Sequence, residues 1–314
     1  NSMSPPFYSD LGKASKDVFT KGYNFGLLKL DVKTKTETSV EFKFSGVQNL
    51  ATKNVVGALE TKYKFKEYGV SFAEKWNTDN ELSTEVSVES LYEGLKLGCE
   101  TSFIPKSAPN EPPGGADESN KESSKERNEV AQQWFYSEKS LKLKSEYKND
   151  VCALNLESLF KKSPLPNIKG GAVAGLGGWV IGGAAGVDTS KQNLTDYQFS
   201  MGYIADDFVV NTTIARGMVF SASIYNHFNE SVESSVTMSY AINSKDLTVF
   251  GIGCRWHIDP DALVRFKVDT KYMLGVGYSQ KLREGVSFSL SAMISGKHPM
   301  DGNNSLGFSI ELDA

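Results

Sequence analysis

A carboxylate in an otherwise apolar row is the feature of this sequence that points most clearly to chemistry. Val70, Phe72, Glu74 and Trp76 alternate along the chain, and alternate residues of a β-strand lie on one face of its sheet. If that face contacts lipid, the charge of Glu74 is costly, and ionisable side chains in such positions are often functional. We therefore expect Glu74 to respond to protons, to cations or to a protein partner. A strand end near lipid headgroups, or a local slip in the alternation, would also account for its position.

The histidines and cysteines, by contrast, form no recognisable catalytic or metal-binding motif. The H-E-x-x-H, G-x-S-x-G, C-x-x-C and phosphate-loop patterns are absent, and the dinucleotide fingerprint G-x-G-x-x-G is not satisfied in a strand-then-helix unit. We therefore expect no enzyme activity, no metal site and no resident cofactor. The isolated residues are His227, His257, His298, Cys99, Cys152 and Cys254.

Charged side chains recur in phase with one another on the polar face of the same alternating pattern. If that face lines a lumen, its bases outnumber its acids by sixteen to eleven, and a wide pore with such a wall prefers anions weakly because salt screens its centre. An ordinary solvated sheet face would show the same alternation. The bases are Lys29, Lys33, Lys35, Lys43, Lys62, Lys64, Lys75, Lys96, Lys142, Lys144, Lys148, Lys169, Arg255, Arg265, Lys267 and Lys281. The acids are Asp31, Glu41, Glu60, Glu85, Glu89, Glu100, Glu146, Glu157, Glu233, Asp269 and Glu311.

The elements that carry these side chains are predicted to be β-strands. Apolar and polar residues alternate from about residue 27 to residue 313, and turn residues divide this region into nineteen candidate strands. Short turns and strands of about ten residues are typical of a membrane β-barrel, whereas a soluble sandwich would need roughly half of its strand faces to share one interior. No stretch has the ~20 uninterrupted apolar residues of a spanning helix. We predict an all-β membrane barrel over residues 27–313.

Whole-chain charge argues against a nucleic-acid partner. The net charge is −4 and the pI is near 5.6, so the chain has no overall basic footprint. We expect membrane lipid and small anionic metabolites to be its partners instead.

Two internal segments depart from the regular pattern. Residues 170–187 include eight glycines in eighteen residues, and because glycine disfavours a helix by ~1 kcal/mol per residue relative to alanine, we predict two strands meeting at a Gly177-Gly178 turn. Residues 107–130 carry six acids and three bases with almost no aliphatic residue, which predicts a disordered acidic loop.

The amino terminus has helical rather than alternating periodicity. Asn1-Ser2 before Met3 resemble a cloning remnant, and residues 3–26 are predicted to hold a short amphipathic helix followed by a hinge. The hinge reads Gly22-Tyr23-Asn24-Phe25-Gly26, with two glycines bracketing a short segment. The apolar side of the helix is predicted to consist of Tyr8, Leu11, Ala14, Ser15, Val18 and Phe19.

Six motifs resemble those of a known family, the voltage-dependent anion channels or mitochondrial porins. They span nearly the whole chain outside 107–130. The resemblance implies a nineteen-stranded barrel in the mitochondrial outer membrane, antiparallel except for a parallel pair of first and last strands, with the helix inside the pore. An odd strand count independently requires one parallel pair if the sheet is otherwise antiparallel. The motifs are Asp10–Lys13, Asp17–Tyr23, Leu59–Tyr63, Glu74–Asn80, Ile258–Ala262 and Leu274–Tyr278.

The resemblance also implies a function, partners and site residues. Members of the family pass ATP, ADP and other small anions, gate at elevated voltage of either sign, and bind hexokinase, the adenine nucleotide carrier and Bcl-2-type proteins; we expect a homo-oligomer. Glu74 matches the family's lipid-facing glutamate, which is tied to hexokinase docking. ATP, ADP and NAD are expected as permeant or regulatory ligands. The implied gating residues are Leu11, Lys13, Lys16, Asp17, Val18 and Lys21, and the implied nucleotide contacts are Lys13, Lys21, Met273, Leu274, Gly275, Ser291, Ala292, Met293, Ile294 and Ser295.

Three departures from the family pattern are visible in the sequence. Asn24 stands where the family has the middle glycine of its hinge, which predicts reduced hinge mobility. Trp256 replaces a tyrosine or histidine, and the acidic loop 107–130 replaces a short turn.

Two alternative functions follow from the same architecture. One is the barrel that imports proteins into mitochondria, for which a strongly acidic lumen would be expected. The other is a scaffold that recruits kinases and apoptotic factors, for which loss of partners in Glu74 variants with unchanged conductance would be diagnostic.

Overall fold

The computed structural model describes residues 4–105, 138–161, 165–242, 244–297 and 304–313. A short 3-10 turn covers Tyr8–Asp10 and one α-helix, α1, covers Lys13–Thr20. The predicted acidic loop at 107–130 lies outside the described residues. The strands are β1 (Leu27–Lys35), β2 (Val40–Asn49), β3 (Val55–Phe65), β4 (Val70–Asn77), β5 (Leu82–Tyr92), β6 (Leu95–Ile104), β7 (Glu138–Lys148), β8 (Cys152–Phe160), β9 (Asn167–Leu176), β10 (Trp179–Asp188), β11 (Asn193–Ile204), β12 (Phe208–Ala215), β13 (Val219–Asn229), β14 (Val232–Ala241), β15 (Ser244–Asp259), β16 (Ala262–Asp269), β17 (Met273–Arg283), β18 (Val286–Ser295) and β19 (Ser305–Asp313).

The strands form one closed sheet. Each strand pairs antiparallel with the next in the chain, and β1 pairs parallel with β19 from Leu28 opposite Phe308 to Lys33 opposite Asp313. Closure leaves no unpaired strand edge in the described part of the chain. The predictions of nineteen strands and of a parallel closing pair are confirmed, as is the turn at Gly177-Gly178 between β9 and β10.

The helix identifies the inner face of the barrel. Ser15 and Val18 of α1 are buried and the helix contacts β13, β14 and β15. Residues of these strands that touch it alternate with exposed apolar residues such as Phe250 and Ile252. Because paired residues in neighbouring strands share a face, the register extends this assignment around the barrel. The described residues contain no helix of the length and apolarity needed to cross a membrane.

The amino-terminal segment differs from the single helix predicted over the first twenty residues. It divides into the 3-10 turn and α1, because Leu11 is extended and Gly12 adopts a left-handed conformation with φ of 71°. The helix therefore begins at Lys13 and spans eight residues. Both pieces lie inside the barrel, as predicted.

Candidate pore lining and gating segment

Lys267 of β16 binds the carboxyl-terminal end of α1. Its Nζ donates a hydrogen bond to the carbonyl oxygen of Phe19 at 2.7 Å. The same ammonium lies 4.3 Å from the ring centroid of Tyr23 and 4.8 Å from that of Phe25. The last carbonyls of a helix lack partners within the helix and carry partial negative charge. A half-buried lysine from the wall therefore satisfies one of them and attracts two aromatic rings of the hinge.

The middle of α1 packs directly on the wall. Ser15 Oγ and Ser235 Oγ share a hydrogen bond of 2.5 Å, and Val18 is fully buried. Glycine in β15 makes this approach possible, because a Cβ on Gly253 would lie 2.9 Å from Val18 Cγ1. A larger residue at this position would push the helix away from the wall.

The hinge is held at its centre by Asn24. The backbone N–H of Asn24 donates to Ser291 Oγ, and its side-chain Nδ2 donates to Ser309 Oγ, each at 3.0 Å. Asn24 has no positive φ, whereas Gly22 and Gly26 have φ of 82° and 70°. The asparagine is therefore accommodated without backbone strain, and its side chain adds a contact that glycine cannot make.

The residues before α1 pack against glycines of β9 and β10. A Cβ on Gly175 would lie 3.0 Å from the Cβ of Pro5, and a Cβ on Gly171 would lie 3.0 Å from that of Tyr8. Sequence reasoning explained this glycine-rich run only as a pair of flexible strands. The signal it overlooked is that lumen-facing glycines are spaced four residues apart in each strand, at 171 and 175 and at 182 and 186, which leaves room for a segment to pack against the wall.

The charges of the predicted gating residues face the lumen. Lys13, Lys16 and Lys21 are exposed and Asp17 is half-buried, while Lys13 pairs with Asp10 at 3.2 Å. Leu11 and Lys16 border a cleft of about 340 Å³ between the helix and the hydroxyl-rich surface of β12–β14. The face of α1 that is turned away from the wall therefore carries charged side chains, and polar groups of the wall border it.

The predicted nucleotide contacts on β17 and β18 lie side by side. Met273 pairs with Ser295, Leu274 with Ile294 and Gly275 with Met293. Leu274 and Ile294 are exposed on the outer side of the barrel. Since successive residues of a strand point to opposite faces, only the residues that alternate with them face the lumen. The hinge covers part of the inner side, since Ser291 holds Asn24 and a Cβ on Gly275 would lie 3.0 Å from the Phe25 ring. Lys21 leads into this hinge, whereas Lys13 lies at the opposite end of α1.

Glu74 lies on the outer face of β4. It pairs with Thr61 of β3 and Thr84 of β5, and its side chain is exposed. Its neighbours in β4, Ala73 and Lys75, face the lumen. No hydrogen bond or ion pair to Glu74 is present among the described residues. The carboxylate is therefore presented outward in a row with two threonines.

The net positive charge of the wall is smaller than the count from the sequence indicated. The register adds four acids to the lumenal face, so that sixteen bases oppose fifteen acids over the strand side chains that are described. Many of these charges form pairs, such as Lys144 with Glu100 at 2.8 Å and Arg255 with Glu233 at 2.9 Å. The amino-terminal segment contributes Lys13, Lys16 and Lys21 against Asp10 and Asp17. The added acids are Glu138, Asp188, Asp196 and Asp313.

Comparison with known proteins gives consistent matches along the chain. The family model described as eukaryotic porin matches residues 4–111 and 121–307. The chain is 39% identical over 311 residues to the human non-selective voltage-gated ion channel VDAC1, covering 99% of each chain. It is 41% identical over 313 residues to the voltage-dependent anion-selective channel of Drosophila melanogaster, covering 99% of this chain and 100% of that one. A solved variant of the Rh. blastica porin aligns with a TM-score of 0.38 at 12% identity, over 90% of this chain and 94% of that one, which is too low to inform the fold.

Proposed function

This chain belongs to the eukaryotic porin family, and we propose that it forms a voltage-gated, weakly anion-selective pore through which ions and small metabolites diffuse. The observation that carries this proposal is the docked α1 inside a closed barrel. A segment bearing Lys13, Lys16 and Lys21 lies in the lumen and contacts the wall through a small set of polar groups. Charges in this position experience the transmembrane field.

Voltage sensitivity follows from the position of those charges. One elementary charge moved across the full potential changes its energy by about 2.3 kcal/mol per 100 mV. Displacement of α1 or of the wall beside it therefore changes the energy of the pore with voltage. The hydrogen bonds that join Ser235, Lys267, Ser291 and Ser309 of the wall to the amino-terminal segment oppose such displacement.

Anion preference is expected to be slight. The wall itself is nearly balanced, and the remaining positive excess comes from the lysines of α1. We propose ATP, ADP and phosphate as permeant species and NAD as a regulatory ligand, with the lumenal residues of β17 and β18 as contacts. Because long-range attraction in a wide pore is screened at physiological salt, selectivity should weaken as ionic strength rises.

We further propose that the pore lies in the mitochondrial outer membrane and that Glu74 is a docking element for hexokinase. Its outward, exposed carboxylate supports this assignment. The adenine nucleotide carrier, Bcl-2-type proteins and further copies of this chain are proposed as additional partners. Cross-linking in isolated mitochondria, comparing the wild type with Glu74→Gln, tests these contacts. Equal recovery of hexokinase with both proteins would contradict the docking role.

Transport by the purified protein tests the proposed function. The refolded full chain is placed in liposomes loaded with ATP, and release is compared with that from protein-free vesicles. We expect rapid release of ATP and of phosphate, together with a reversal potential in a salt gradient that indicates a small anion preference. Vesicles that contain folded barrels and retain ATP would contradict the proposal.

A further inference from the structure

Three buried donors, two in the wall and one in the hinge, have no acceptor among the residues that the structure describes. Among the described residues, the Nε of Arg255, the Nε of Arg265 and the hydroxyl of Tyr23 are buried and make no hydrogen bond. Leaving a buried donor unsatisfied costs about 1–3 kcal/mol, and more when the group is charged. Donors of this kind call for an acceptor from outside the chain.

The two arginines are directly opposed on neighbouring strands. Arg255 of β15 and Arg265 of β16 are register partners, an arrangement in which like charges repel. Arg255 is neutralised by Glu233, with Nη1 to Oε2 at 2.9 Å. Arg265 is only 7% exposed and bonds through Nη1 to the neutral Ser279 Oγ at 2.6 Å. Among the described residues Arg265 makes no ion pair, and the carboxylate that acts on this buried charge, Glu311 of β19, lies beyond ion-pair distance.

The hinge covers this charge and contributes the third donor. The guanidinium of Arg265 lies against Gly22 so closely that a Cβ there would be 2.4 Å from Cζ. The Tyr23 ring and the stem of Arg265 both contact Gly277, where a Cβ would lie 3.5 Å and 3.6 Å from them. Burial raises the pKa of Tyr23 to about 12, so its hydroxyl remains protonated at neutral pH and donates.

We propose that Arg255, Arg265 and Tyr23 form an oxyanion site for a phosphate group, and that its occupation holds the hinge against the wall. The inference rests on the proposed function in that anions must enter the lumen. Phosphate oxygens accept charge-assisted hydrogen bonds from guanidinium and phenol donors. Because Tyr23 belongs to the hinge, its hydroxyl lies near the two guanidinium groups only while the hinge is docked. A ligand that binds the docked state alone must stabilise that state.

Amide hydrogen exchange of the refolded full chain in detergent micelles tests the site. The amides of Asn24 and Gly26 report docking, because they donate to Ser291 Oγ and to the carbonyl oxygen of Leu306. Inorganic phosphate at ten times its binding midpoint should slow their exchange about elevenfold relative to chloride at equal ionic strength. A second arm with ATP distinguishes a free phosphate ion from the phosphate group of a nucleotide. Unchanged or faster exchange with both ligands would overturn the proposal.

Matched variants identify the donors. Tyr23→Phe keeps the ring but removes the unpartnered hydroxyl, so exchange without phosphate should be unchanged while the phosphate midpoint rises about tenfold. Arg265→Gln should abolish the phosphate effect. Lys281→Gln, which removes a lumenal charge from β17 away from the hinge, should behave as the wild type. Equal phosphate effects in the wild type and in Tyr23→Phe, which is expected to fold, would refute the site even if Arg265→Gln misfolds.

The two proposals fail in different ways. Exchange in micelles does not depend on conduction, so loss of the phosphate effect in a conducting protein refutes only the oxyanion site. Absence of ATP release from vesicles refutes the pore and leaves the exchange result unaffected.

Discussion

Lys267 Nζ donates to the carbonyl oxygen of Phe19 at 2.7 Å, and this bond joins the end of the lumenal helix to the barrel wall. The donor belongs to β16 and the acceptor to the last turn of α1. An eight-residue helix is too short to be stable alone in water. Its structure therefore depends on wall contacts of this kind, and changes in the wall should alter both the order and the position of the helix.

Lys267→Met should loosen the carboxyl-terminal end of α1. The substitution removes a charged hydrogen bond, worth about 2 kcal/mol, and its attraction to the rings of Tyr23 and Phe25. Amide exchange across residues 17–21 should accelerate about thirtyfold. Lys281→Met, which removes a lumenal charge from β17, should leave these amides unchanged. Equal acceleration in both variants would show that lumenal charge, rather than this contact, holds the helix.

Gly307→Ala should undock the hinge. An added Cβ would lie 1.7 Å from the carbonyl oxygen of Asn24, so the segment must move. Gly277→Ala is the matched control, because its Cβ would meet the Tyr23 ring at an ordinary 3.5 Å. A fluorophore attached to a cysteine at position 21, beside the hinge, of otherwise cysteine-free protein should become more mobile in Gly307→Ala alone. Similar mobility in both variants would contradict close packing at Gly307.

Asn24→Gly should increase hinge mobility. The variant loses the hydrogen bond to Ser309, worth about 1 kcal/mol, and gains backbone freedom worth about 0.5–1 kcal/mol. Its effect and that of Ser309→Ala, measured from exchange of the Gly26 amide, should be less than additive in the double variant. Full additivity would show that the two side chains do not interact.

Glu74→Gln should stabilise the barrel in a bilayer. The outward carboxylate has no partner among the described residues, and removing its charge should relieve about 1 kcal/mol, below the cost of Lys or Arg in lipid. Glu85→Gln is the lumenal control, since it breaks a 3.2 Å pair with Lys144 and should have no stabilising effect. Reversible unfolding from vesicles measures both. Destabilisation by Glu74→Gln would indicate a structural partner for this carboxylate.

Much of the fold could be predicted because strand alternation is a local property. Rows such as Phe250 and Ile252 identify the outer face without knowledge of the neighbouring strands, and an odd number of strands fixes the parallel closure. The helix boundaries were harder to predict. Gly12 divides the segment by adopting a left-handed backbone conformation, which helical periodicity in the sequence does not reveal.

The contacts within the lumen could not be predicted from local pattern. The bond between Asn24 and Ser309 joins positions 285 apart in sequence, and the opposition of Arg255 to Arg265 requires the strand register. The net positive charge of the wall was overestimated because it, too, depends on the strand register. Asp188, Asp196 and Asp313 join the lumenal face only once each strand is in register with its neighbour.

Single-channel recording of the refolded chain in a planar bilayer, under a voltage ramp of both polarities, tests the central claim most directly. Our account predicts a large conductance near zero voltage that steps to lower substates at positive and at negative potentials. Lys16→Gln should require a larger voltage for these steps, whereas Lys66→Gln in an exposed turn should not. A folded barrel that conducts no ions, or one whose conductance is the same at every voltage, would contradict the account.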